Sequence, residues 1–101
     1  MPNKTMPGKL QIEIPDTIVE GIYANLVIIA HSPSEFVLDF VRMVPGAPKA
    51  KVQTRVIMTP LNTKNLIRAL KENIDKFEKR FGDIKVENIK EDRTIGFSTE
   101  E

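Results

Sequence analysis

The sequence predicts an α+β domain: a four-stranded antiparallel sheet, arranged as a meander, followed by one long C-terminal helix packed on one face. Three observations carry this expectation. Residues 9–58 hold four stretches with the two-residue side-chain period of strands. The links between them are short, and strands joined by short links pair antiparallel, because a parallel crossover needs a dozen or more residues. Beyond Met58 the apolar spacing changes to three and four, which is helical.

The elements follow in order. Residues 1–8 contain Pro2, Pro7 and Gly8 and read as a flexible N-terminal arm. "KLQIEIP" alternates Leu10, Ile12 and Ile14 with Gln11 and Glu13, a half-buried strand closed by Pro15. Asp16 to Gly21 has no sustained period and is a connection. "IYANLVIIAHS" is the clearest strand, rich in β-branched residues. "EFVLDFVRMV" follows, and Ser32-Pro33-Ser34 between the two supplies turn chemistry, so they form a hairpin. "PGAPKA" is a second turn. "AKVQTRVIM" then sets Val52, Thr54, Val56 and Met58 against Lys51, Gln53, Arg55 and Ile57.

The helix runs from about Pro60 to Phe81. Thr59 is an N-cap, Pro60 suits the first helical position, and Gly82 stands where a left-handed cap is wanted. Ile67, Leu70, Ile74, Phe77 and Phe81 form its apolar stripe, widened by Leu66. The single domain spans residues 9–82. The acidic tail, residues 83–101, alternates weakly at Ile84, Val86 and Ile89 and reads as an edge strand or a partly disordered segment.

One helix covers one face of a sheet, yet the second and third strands are apolar on both sides. A strand of that kind has both sides covered. In a chain of 101 residues the second cover is expected from another copy, in a homodimer or higher oligomer. Val27, Ile29, Val37 and Val41 are assigned to that interface.

Little in the sequence suggests catalysis. There is no cysteine and one histidine, which excludes disulfides, thiolate nucleophiles and the usual zinc clusters. The glycines are isolated, so neither a dinucleotide fingerprint nor a phosphate loop occurs. "HSPSEF", residues 31–36, gathers a histidine, two serines and a glutamate. Neighbours on one turn do not supply the geometry of a nucleophile, base and orienting acid, so this stretch reads as a hairpin end. No enzyme activity, cofactor or metal is expected. The longest apolar run, Leu26 to Ala30, is too short to span a bilayer, and the N-terminal arm lacks the apolar core of a secretory signal. A cytoplasmic protein with no membrane partner is expected.

Charge is uneven although the net value is +1. Nine Lys or Arg stand against Glu72, Asp75 and Glu78 in residues 45–80. Lys49, Lys51 and Arg55 on the fourth strand, beside helix residues Lys64, Arg68 and Lys71, make a candidate basic binding patch for phosphates. No aromatic residue interleaves with these bases in sequence, which argues against stacking on single-stranded bases.

The stretch "EGIYANLVIIAHSPSEFVLDFVRMVPGAPKAKVQTRVIMTP", running into the helix, resembles a bacterial family known as a domain of unknown function (number 3467). The resemblance covers residues 10 to about 80, and "YAN", "SPSEFVLDF", "PG" followed by lysines, and "RVIMTP" are its most specific pieces. It implies a prokaryotic cytosolic protein and transfers no catalytic residue. The strand order with one long helix is also similar to the architecture of the export chaperone SecB, a likeness of fold that does not fix function. Two expectations follow: a non-enzymatic oligomeric interaction module that binds polypeptide segments in a chaperone-like way, or a nucleic-acid-binding protein using the basic strand and helix surface.

Overall fold

Pro33 cannot donate to a sheet ladder, and the serines beside it turn the chain through the central hairpin. In the computed structural model, which describes residues 4–5, 10–86 and 97–99, strand β3 (Leu26–His31) pairs antiparallel with β4 (Phe36–Arg42) from Leu26↔Val41 to His31↔Phe36. The loop is Ser32 to Glu35. Its first amide donates to the Glu35 carbonyl at 2.9 Å, and the Ser32 hydroxyl accepts from the Ser34 and Glu35 amides at 3.2 Å each. The turn is thereby satisfied from within.

Strand β5 (Lys51–Met58) pairs antiparallel with β4 from Phe36↔Met58 to Arg42↔Lys51. The link contains Pro45 followed by Gly46 at φ +84°, and the Ala47 amide donates to the Val44 carbonyl at 3.0 Å. Proline then positive-φ glycine is the signature of a type II turn. Three antiparallel strands in sequence order, then a long helix, bear out the α+β class.

The first expected strand departs from the meander. Only Gln11–Ile12 is strand (β2), and it pairs with Lys4–Thr5 (β1) in a separate two-stranded ladder. Two successive turns, Ile18 amide to Pro15 carbonyl and Gly21 amide to Ile18 carbonyl, both 2.9 Å, stand between it and β3. The free side of β3 is taken instead by Phe97–Thr99 (β6), which runs parallel to it and gives the order β5-β4-β3-β6. The tail thus supplies a strand, but Ile84 and Val86 are exposed and outside it. Ile89, like the rest of the expected flexible arm and disordered tail, lies outside the described residues.

Helix α1 (Pro60–Phe81) has the expected bounds. The Thr59 hydroxyl accepts the Asn62 amide at 3.2 Å, satisfying one of the first-turn donors. Lys79 and Arg80 in the last turn favour the negative end of the helix dipole. Gly82 at φ +98° donates its amide to the Glu78 carbonyl at 2.9 Å.

Packing of this helix on the sheet is corrected. No residue of α1 is buried, and only Thr63, Leu66 and Glu78 are half-buried. A single residue, Thr59, separates β5 from α1, which leaves no loop in which the chain can reverse onto the sheet. Among the described residues the core is correspondingly small: Leu26, Val27, Leu38 and Val41, all on β3 and β4. The radius of gyration, 16.3 Å, exceeds the roughly 13 Å of a compact domain of about 100 residues.

Candidate interaction surfaces

Residues directly opposite in an antiparallel ladder share a face. Because four residues turn the hairpin, even-numbered positions of β3 meet odd-numbered positions of β4. One face therefore carries Leu26, Ile28, Ala30, Val37, Asp39 and Val41. The other carries Val27, Ile29, Phe36, Leu38 and Phe40. The four residues assigned to one interface are split: Val27 and Ile29 lie on one side, Val37 and Val41 on the other. Val27 and Val41 are also already buried within the chain, at 6% and 3% exposure.

The basic patch is divided by a different device. Phe40 pairs with Thr54 but Val41 pairs with Val52, so Gln53 is an extra residue, a β-bulge. The bulge reverses side-chain alternation along β5. Lys51 shares a face with Arg42, while Arg55 faces Asp39 on the opposite side. Arg55 is also occupied, its Nε and Nη2 donating to the two Asp39 carboxylate oxygens at 2.7 and 2.9 Å. These bonds hold the Asp39 carboxyl below its ordinary pKa and raise that of Arg55.

What remains on the Lys51 side is a shallow cleft of about 210 Å³ lined by Arg42, Val44, Lys49, Lys51 and Gln53. Arg42 was not among the expected patch residues; its place opposite Lys51 becomes visible once the hairpin register is known. The Arg42 guanidinium lies 5.9 Å from the centre of the exposed Tyr23 ring, at the limit of cation–π contact. An aromatic side chain thus does stand beside the bases, brought there by the fold. Lys64 and Arg68 sit on α1 and do not line this cleft.

The helix presents an exposed apolar stripe. Ile67, Leu70, Ile74, Phe77 and Phe81 are 45–66% exposed along one stripe. The Phe77 and Phe81 rings touch, with centroids 4.9 Å apart. A wider, open hollow of about 430 Å³ at the end of the helix is lined by Asp75, Glu78, Lys79 and Asp83.

"HSPSEF" is a turn. The His31 ring stacks on Phe36 at 5.4 Å, and among the described residues no ion pair joins it to Glu35. Among those residues, too, no cluster of three or more His, Asp or Glu converges as a metal group would need, and no helix is long and apolar enough to cross a membrane.

No curated protein and no solved structure is matched by this chain, so the likeness to SecB gains no support. The sequence pattern of one family matches residues 1–86, which include the hairpin, the bulged strand and the whole helix. The chain belongs to that family, described as "Protein of unknown function (DUF3467)".

Proposed function

We propose that this chain is a non-enzymatic interaction module that works as a homo-oligomer and binds polypeptide segments in a chaperone-like way. One observation carries the reading: α1 exposes five large apolar side chains on one stripe. Contiguous apolar surface of this kind marks protein interaction sites. Amphipathic helices also draw most of their stability from burying such a face. The setting in this reading is a bacterial cytoplasm. Sedimentation equilibrium at micromolar concentration tests it, and a single species of 11.4 kDa overturns the oligomer. Titration with an unfolded, apolar-rich polypeptide tests the second half, and no binding at low or high salt overturns that.

The rival reading is nucleic-acid binding, and it now rests on Arg42, Lys49 and Lys51 with Tyr23 beside them rather than on Arg55. Affinity for duplex and single strands that falls steeply with salt supports it, because phosphate contacts release counterions. No binding at low salt removes it.

A further inference from the structure

We infer that two copies of the chain pair through α1 as a short antiparallel coiled coil. The inference rests on the oligomeric half of the reading above and specifies its seam; a polypeptide segment would compete with the second copy for the same stripe. Ile67, Leu70, Ile74, Phe77 and Phe81 follow the spacing 3, 4, 3, 4, the repeat of the inner a and d positions of a coiled coil. Thr63 extends the same seam by one position toward the N-terminus. The helix has 22 residues, or roughly 33 Å, and its five apolar seam residues are exposed within one chain.

Side-chain volume chooses the orientation. In a parallel, in-register pair the two Phe77 rings would meet, then the two Phe81 rings, while Thr63 met Thr63 at the far end. One end of the seam would be overfilled and the other empty. Turned antiparallel about a dyad near Glu72, Ile67 meets Phe77 of the second copy, Leu70 meets its Ile74, and Phe81 meets its Thr63. Large then opposes small in the outer layers, which fills a core evenly.

Charge makes the same choice. Lys64, Arg68 and Lys71 precede the first acidic residue of the helix, Glu72. Lys64 and Glu78 occupy the same flanking position two heptads apart, so antiparallel pairing sets each beside the other across the seam, twice per dimer. One Glu78 oxygen accepts the Ile84 amide at 2.9 Å, and the other remains for the lysine. Parallel pairing sets Lys71 beside Leu66 and Glu78 beside Asn73, and forms no ion pair. Helix dipoles lying side by side attract when antiparallel and repel when parallel, which favours the same orientation. Among the charged residues, Lys71 alone meets its own copy near the dyad.

The chain has no cysteine, so cross-linking reads the geometry directly in the full-length protein. With a short bismaleimide, Lys71→Cys should link to itself; Lys64→Cys should not, but should link to Glu78→Cys in a mixed sample. Lys64→Glu and Glu78→Lys should each weaken the dimer by roughly threefold to tenfold, and the double variant should recover the parent affinity. These positions are exposed or half-exposed, so the variants keep the fold, which circular dichroism checks. Ile74→Asp should give monomers with native sheet signal. An oligomer that survives Ile74→Asp and shows none of these cross-links overturns the seam while leaving the oligomeric module standing. A parent protein that is monomeric overturns both. Loss of affinity in the double charge swap equal to the sum of the singles overturns the antiparallel register.

Discussion

Asp39 and Arg55 stand opposite each other on β4 and β5 and are joined by two hydrogen bonds, 2.7 Å from Nε to Oδ1 and 2.9 Å from Nη2 to Oδ2. A fork meeting a carboxylate in this way fixes geometry as well as charge. It also gives the sheet a dependence on acid. Hydrogen bonding from Arg55 lowers the Asp39 pKa from its ordinary 3.8. The group therefore contributes stability that is fully present above that value and is lost as pH falls through the lower, folded value. Asp39→Asn should be less stable than the parent at neutral pH, and the gap should begin to narrow as pH falls below about 4. Urea melts from neutral pH to pH 3 check this. A gap that is constant across the series would show that the pair contributes through packing alone.

The side chain of Asn25 extends the β3–β4 ladder past its last backbone pair. Its Oδ1 accepts the Met43 amide at 2.8 Å and its Nδ2 donates to the Met43 carbonyl at 3.0 Å. Asn25→Ala should cost about 1 kcal/mol, the net scale of such bonds. Asn25→Asp should cost more, because it removes the donor and sets a carboxylate against the Met43 carbonyl. Chemical denaturation ranks the two.

Burial within the sheet is concentrated enough to be tested by contrast. Leu38 is 7% exposed and Ile57, on β5, is 56% exposed. Leu38→Ala should lose about 2–5 kcal/mol, whereas Ile57→Ala should stay within about 0.5 kcal/mol. If Ile57→Ala proves comparably damaging, that face is covered by another subunit in solution.

At the end of β3, His31→Ala removes one stacked ring and, among the described residues, no side-chain hydrogen bond. A loss of about 1 kcal/mol or less is expected, with melting temperatures that do not respond to divalent metals. A large metal-dependent shift in the parent that vanishes in the variant would make His31 a ligand.

The elements written in local chemistry were legible in the sequence. Thr59, Pro60 and Gly82 announce the ends of α1, and Ser32-Pro33-Ser34 announces the hairpin, because each acts through its own backbone neighbours. What was not legible depended on counting residues between elements. The four-residue turn pairs even positions of β3 with odd positions of β4, and this divides Val27 and Ile29 from Val37 and Val41. Alternation alone cannot reveal the extra residue Gln53, which moves Arg55 to the face opposite Lys51. The apolar stripe of α1 was found, but periodicity says only that a face seeks cover and not which surface supplies it. The parallel strand Phe97–Thr99 is three residues long, too short for a periodic signal.

Strand β5 is the last strand of its sheet, with eight residues and, among the described residues, no neighbour on its outer side. A row of unpaired amides and carbonyls is an open invitation to uncontrolled sheet growth, and Val52, Val56 and Ile57 on it are exposed. The bulge at Gln53 breaks that row in its first half, and Lys51 places positive charge beside the break. A second β5 laid against the first would meet a kinked partner of like charge. The displaced register that separates the basic side chains thus also makes the strand a poor template for aggregation.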